Sequence, residues 1–174
     1  MPLHIQTVDA SKNDHHCQLI RARHNHPNAI PTKCVLDLVI GVTQRAGQTL
    51  IDQLDIIGHG CPGQLNVGGG ISPRRDQVIA VDDSFRLYNR EILALLRGRF
   101  ASGAVVRLHA CRVAEGVSGE CLLYQLSQLW QVRVQGGLIR QMPDAADRFE
   151  GNLYRQADGS PNSLEPLYQG PIAR

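Results

Sequence analysis

The chain has 174 residues, 43% of them hydrophobic and 20% charged, with a formal net charge of +2. That balance suits one ordinary soluble α/β-sized domain that buries a core without staples, and the small charge argues against nucleic acid or an anionic membrane as partner. The apolar runs are too short to span a bilayer, and MPLHIQTVDASKND lacks the basic start and apolar stretch of a secretory leader. A cytoplasmic setting is therefore expected by default, or a secreted one if the domain is cut from a larger surface protein.

Taken in chain order, residues 3–8 (LHIQTV) alternate apolar and polar like a strand, and 17–23 (CQLIRAR) suggest a second one. The stretch 24–31 (HNHPNAIP) reads as a loop because of its prolines and asparagines. Residues 32–47 (TKCVLDLVIGVTQRAG) fit two periods. Val35, Leu36, Val39, Ile40 and Thr43 match a helix, while Cys34, Leu36, Leu38 and Ile40 match a strand. A helix is favoured, with Pro31 and Thr32 at its start and Gly47 at its end.

The run LDIIG (54–58) is short and nearly continuously apolar, as in a strand covered on both faces. A Gly/Pro-rich stretch follows over 61–83, with a small hairpin expected from QLNV (64–67) and QVIAV (77–81). NREILALLRGRF (89–100) predicts an amphipathic helix with Asn89 as cap and Ile92, Leu93, Leu96 and Phe100 on one stripe. AVVRLHAC (104–111) predicts another buried strand. SGECLLYQLSQLW (118–130) predicts a helix capped by Ser118, with Leu122, Leu126, Leu129 and Trp130 on one face. QVRVQGG (131–137) alternates as a strand, and the tail offers short strands at FEGNLYR (149–155) and EPLY (165–168).

The alternation over 33–135 argues for a mainly parallel sheet flanked by helices on both faces, within a single domain over 1–174. Its core blocks are expected at about 33–137, with a loop-rich part at 138–174. In such sheets function collects at the carboxyl edge of the strands. One strand ends at His59 and another at Cys111, and both are expected on that edge as neighbours. A cysteine nucleophile needs its thiolate, which a nearby histidine generates by taking the proton and holding the ion pair. The backbone N–H groups of Gly60 and Cys111 are candidate donors to the oxyanion of a tetrahedral intermediate. Glycine after the histidine lets a substrate carbonyl approach closely.

An apolar strand ending in His-Gly, followed by one ending in Ala-Cys, resembles the caspase, legumain and gingipain group of cysteine peptidases (clan CD, the caspase–hemoglobinase fold). Against the caspase signature Q-A-C-[RQG]-G, with its histidine about 50 residues upstream, the chain reads H-A-C-R-V at a separation of 111 − 59 = 52. Ala110, Cys111 and Arg112 match; His109 and Val113 depart. The likeness is closer to the bacterial caspase-like domain of large surface and repeat proteins. It is carried by LDIIGHGCPGQLNVGG and VVRLHACRVAEGVSGECLLYQLSQLW and covers about residues 50–137.

The resemblance implies a three-layer caspase–hemoglobinase-like sandwich. It implies a cysteine endopeptidase that hydrolyses peptide bonds through a Cys111–His59 dyad and an acyl-thioester, with Gly60 and Cys111 forming the oxyanion hole. A protein or peptide is then the substrate, no cofactor or metal is needed, and self-processing or contact with domains of a parent chain is consistent with relatives. Loops 61–83 and 137–150 are expected to shape specificity.

Simpler roles stand beside these. Cys111 alone reads as a small core residue, and His59 alone as a loop histidine. His109, two residues before Cys111, is a candidate support and otherwise a buried structural histidine. Asp55 is read as a strand-edge charge and Cys61 as an incidental loop thiol. Cys17, Cys34, Cys61, Cys111 and Cys121 contain no C-x-x-C pair and are expected to be reduced. His15, His16, Cys17, His24 and His26 match no closed zinc pattern, and His59, His109, Cys61 and Cys111 form a weaker metal alternative. Arg74, Arg75, Arg107 and Arg112 are candidates to recognise an acidic side chain. The functional alternatives are a catalytically silent caspase-like binding or regulatory module, and a metal-dependent or other thiol hydrolase.

Overall fold

The computed structural model describes residues 1–12, 18–140, 154–158 and 167–168. Ten strands, β1 (His4–Asp9), β2 (Ile30–Thr32), β3 (Ile51–Ile57), β4 (Gly60–Cys61), β5 (Gln64–Asn66), β6 (Val78–Ala80), β7 (Phe100–His109), β8 (Arg133–Gly137), β9 (Tyr154–Ala157) and β10 (Leu167–Tyr168), form two sheets. The larger has the order β10-β9-β8-β7-β3-β1-β2, parallel from β8 to β2 and antiparallel at β9 and β10. The smaller, β4-β5-β6, is antiparallel. The chain is thus an α/β protein with a mostly parallel sheet flanked by helices.

Register separates the two faces of the large sheet. Ile5, Leu54, Val106 and Val134 lie side by side, as do Ile56 and Leu108, and all are buried in one cluster. Three helices, α2 (Val35–Ala46), α3 (Arg90–Leu93) and α4 (Gly116–Trp130), complete that cluster with Leu38, Val42, Leu93, Leu122 and Leu126. Because a pleated strand sends alternate residues to opposite faces, the residues between belong to the other side. There Gln6, Asp55, Arg107 and Gln135 form a polar row. On this face α1 (Gln18–Asn25) packs Ala22 against Val8 and Ile57. Helices therefore lie on both faces, but unequally: α1 is the one described helix on the polar side.

Several sequence expectations are corrected. Residues 18–25 form a helix, not a strand, because β2 pairs parallel to β1 and a parallel neighbour needs a crossover. Ile30–Thr32, whose first two residues were expected in a loop, is that neighbour; Pro31 is tolerated there because β2 ends the sheet. Pro31 and Thr32 consequently do not start the next helix, which opens after Cys34, whose Sγ accepts the Asp37 N–H at 3.5 Å. Gly47 closes it in the left-handed region at φ 58°. The helix expected over 89–100 is one short turn followed by a 3-10 turn at Ala94–Leu96, and Phe100 already belongs to β7. Asn89 does not cap it: its side-chain amide donates to the carbonyls of Arg75 and Val78. Ser118 lies inside α4, which begins after Glu115.

The core also extends beyond 33–137, since β1 sits between β3 and β2, and β9 adds to β8. The expected strands at 149–155 and 165–168 appear as β9 and β10, with 149–153 outside the described residues. On the apolar side Trp130 donates its indole N–H to the Leu93 carbonyl at 2.8 Å and leans on Phe100, centroids 5.9 Å apart. That contact locks α4 onto the turn before β7.

Candidate functional site

β1 connects outward to β2, while β3 connects in the opposite direction to β7. The carboxyl ends of β1 and β3 therefore frame a topological switch point, where open α/β sheets leave a crevice. The last paired residues of β3 and β7 are Ile57 and His109, and Gly58 N–H donates to the His109 carbonyl at 3.1 Å. His59 and Cys111 each follow those residues by two positions, on adjacent parallel strands and at the same edge. Both are half-buried.

Contacts beyond the strand ends hold the two stretches together. A Cβ placed on Gly60 would lie 2.7 Å from Ala110 Cβ and 3.7 Å from the Cys111 carbonyl oxygen, so only glycine permits this approach. Farther along the β4–β5 hairpin, Gly63 N–H donates to the Val113 carbonyl at 3.0 Å. Within the hairpin, Asn66 N–H donates to the His59 carbonyl at 2.8 Å and Gly60 stands opposite Leu65. Antiparallel pairs alternate between bonded and non-bonded, so the Gly60 N–H points away from β5. The loop expected at 61–83 thus contains the strands of a small three-stranded sheet anchored on the candidate site. Its counterpart at 137–150 is described only to residue 140.

The turn after Cys111 is held from two further directions. Arg112, at φ 55° in the left-handed region, donates its N–H to the Ile139 carbonyl, and Ala114 donates to that of Gly137, each at 3.0 Å. From β9, buried Arg155 reaches the carbonyls of Ala114 and Gly116 at 3.2 and 3.3 Å and pairs with Glu120 at 2.5 Å. The Arg112 side chain pairs with Glu115. Its charge also bears on exposed Cys61, whose thiol burial pushes up and Arg112 pulls back down.

His109 turns to the polar face, its Nε2 3.5 Å from Asp55 Oδ1, and is buried as a structural histidine would be. Asp55 is not the strand-edge charge expected. It is fully buried and bridges three strands, with His4 Nε2 at 2.7 Å and the Gln53 amide at 3.1 Å. Burial alone would raise its pKa, but the hydrogen bonds and charge of His109 and His4 outweigh this and hold it below the usual carboxylate range.

A residue that sequence reasoning passed over also stands at this edge. Asp9, the last residue of β1, is fully buried and accepts the N–H groups of Ser11 at 2.7 Å and Gly70 at 3.0 Å. Asn66, which holds the His59 carbonyl, donates its side-chain amide to the Gly70 carbonyl at 2.7 Å, so Asp9 and His59 share one network. Burial raises the Asp9 pKa, against the two N–H groups and the charges of His59 and Arg23. A strand-ending aspartate was a visible signal, but its meaning depends on β1 lying beside β3.

Among the described residues no three His, Cys, Asp or Glu side chains gather to hold a metal ion, and no helix is long and apolar enough to cross a membrane. His15, His16 and Cys17 lie outside the described residues. Arg75 opens the 3-10 turn before β6 and Arg74 precedes it: Arg74 pairs with Asp76, and the Arg75 guanidinium stacks 4.4 Å over Tyr88. Neither the curated proteins nor the solved structures provide a match. A family model does match, over residues 34–138, a span that includes β3, the His59–Gly60 hairpin, β7, Cys111 and α4. The chain belongs to the family described as a domain of unknown function, DUF4347.

Proposed function

We propose that the protein is a cysteine endopeptidase of the caspase–hemoglobinase type, with His59 and Cys111 as its dyad. The observation that carries this reading is the packing of Gly60 against Ala110 and the Cys111 carbonyl, which sets the His-Gly and Ala-Cys strand ends side by side. His59 takes the proton of the Cys111 thiol, and the thiolate attacks the carbonyl carbon of the scissile peptide. The N–H groups of Gly60 and Cys111 receive the oxyanion, a role that suits the outward-pointing Gly60 N–H. The imidazolium returns its proton to the leaving amine, and His59 then activates the water that hydrolyses the acyl-thioester. Asp55 and His109 brace β3 and β7 against each other from the polar face.

The test is labelling with a thiol-reactive peptide electrophile, together with cleavage of a peptide library, using Cys111→Ala as control. The expected result is selective modification of Cys111 and cleavage that disappears in the variant. Modification of Cys111 no faster than that of Cys34, with cleavage unaltered in Cys111→Ala, would overturn the proposal.

A further inference from the structure

We infer that Arg155 is a positioning residue for the candidate nucleophile, and that β9, the strand that carries it, completes the turn on which Cys111 sits. The turn leaves the end of β7 and runs over residues 111–114 toward α4. It is seated directly on β8. A Cβ on Gly136 would lie 2.9 Å from Val113 Cγ1 and 3.1 Å from Ala114 Cβ, so the missing side chain is what lets the turn settle on the sheet. The N–H groups of Arg112 and Ala114 then reach the carbonyls of Ile139 and Gly137, each at 3.0 Å. The donor side of the turn is thus fixed by β8 and the residues just after it.

The acceptor side is fixed from β9. Arg155 stands opposite Gly136 in the β8–β9 register, on the same face as Val134 and Ala157 of the core cluster. Its Nη1 donates to the Ala114 carbonyl at 3.2 Å and the Gly116 carbonyl at 3.3 Å, and pairs with Glu120. The helical ladder of α4 opens with Glu115, whose carbonyl accepts the Gly119 N–H at 3.2 Å. The carbonyl of Ala114, a fully buried residue, lies one residue ahead of that ladder, so its donor has to come from outside the helix. Burying a guanidinium is costly, and Ala157 two residues on shows the small apolar side chain that this face otherwise takes. Glu120 is 39% exposed and needs no buried partner. The two carbonyls of the turn are therefore what a charge at 155 serves.

Cys111 consequently lies between two fixed points. One is the end of β7, where the His109 carbonyl accepts the Gly58 N–H at 3.1 Å; the other is Ala114 under Arg155. The His59 stretch is tied to β3, so a shift of the turn changes the placement of the thiol relative to the imidazole. Arg155 touches neither substrate nor thiol and acts through the turn. Its effect on rate rests on the peptidase reading: a loose turn lowers the fraction of molecules with the dyad in register, which costs kcat and leaves substrate binding alone.

Three variants of the full chain separate position from stability. Arg155→Met removes the donor. Glu120→Gln removes the ion pair but keeps the donor, and Val42→Ala empties a buried site in α2, which packs on β1 and β2 at the other end of the sheet. Hydrogen exchange is followed at the Arg112 and Ala114 amides, and kcat and KM by peptide cleavage, at a temperature where urea unfolding shows all four proteins folded. In Arg155→Met the two amides should exchange about ten-fold faster, and kcat should fall about ten-fold with KM unchanged. Glu120→Gln and Val42→Ala should move neither, whatever their loss in unfolding. Unchanged exchange in Arg155→Met would overturn the inference. So would equal acceleration in either of the other variants, or wild-type kcat in Arg155→Met. If the exchange pattern is as expected but the wild-type protein cleaves no peptide, Arg155 still positions the turn and the peptidase reading fails.

Discussion

Replacing Asp55 with asparagine keeps the shape of a buried side chain and removes its charge. The carboxylate accepts from His4 at 2.7 Å and from Gln53 at 3.1 Å, with His109 at 3.5 Å. A hydrogen bond to a charged group contributes about 1.5–3 kcal/mol when well formed. Here the His4 side chain is 41% exposed, so its share is discounted to about 1 kcal/mol for solvent screening. The long contact to His109 adds about 1 kcal/mol more. The total of about 2 kcal/mol corresponds to a fall in Tm of about 4–8 °C for a chain of this size.

Urea and thermal unfolding of wild type and Asp55→Asn, at neutral pH and in acid, measure it. The folded-state pKa of Asp55 is depressed, so its contribution is complete above the unfolded value near 3.9 and declines as pH falls toward the folded value. The gap between the two proteins should therefore narrow from about pH 5 downward. A gap below about 0.5 kcal/mol at neutral pH, the range of an ordinary surface substitution, would refute the bracing role. So would a gap that widens in acid.

Gly60→Ala places a Cβ 2.6 Å from the Gln64 carbonyl oxygen and 2.7 Å from Ala110 Cβ, forcing the hairpin off the Cys111 turn. On the peptidase proposal this displaces one oxyanion donor, and kcat should fall by about 100-fold or more, while far-UV circular dichroism stays native. Asp9→Asn is read by stability against pH. Burial raises the Asp9 pKa, so the folded wild type keeps a proton that the unfolded chain releases, and its stability relative to the variant should fall as pH rises from about 4. Arg155→Met removes the donor to Ala114 and Gly116 and leaves Glu120 without that partner. Since Glu120 is partly exposed, the expected loss is about 2–3 kcal/mol, read by urea unfolding.

The parts of the fold legible from sequence were those whose signal is local. LDII and VVRL are mostly apolar runs; LDII is buried throughout, while VVRL alternates buried Val106 and Leu108 with half-buried Val105 and Arg107. The apolar stripe of α4 was equally plain, since Leu122, Leu126 and Trp130 all face the core. The segment 18–32 misled because its structure is dictated by a crossover requirement, not by its own periodicity. Asp55 was unreadable for a similar reason: its partners His4 and His109 come from separate strands, and nothing near it in the chain announces them. Asp9 could not be weighed until β1 was known to lie next to β3. The adjacency of the strand ends that lead to His59 and Cys111 was legible because a short motif marks each end and needs no tertiary knowledge.

The position of β1 bears on where this unit can be cut. The family match begins at residue 34, after β1 and β2, and ends at 138, before β9. A fragment trimmed to those limits would expose the edge of β3 that now pairs with β1 along His4–Val8. It would also remove His4 from Asp55, the Asp9 network from His59, and Arg155 from the Cys111 turn. Sequence recurrence and physical autonomy have different borders in this protein. A minimal expressed unit therefore has to start at the first strand, not at the first matched residue.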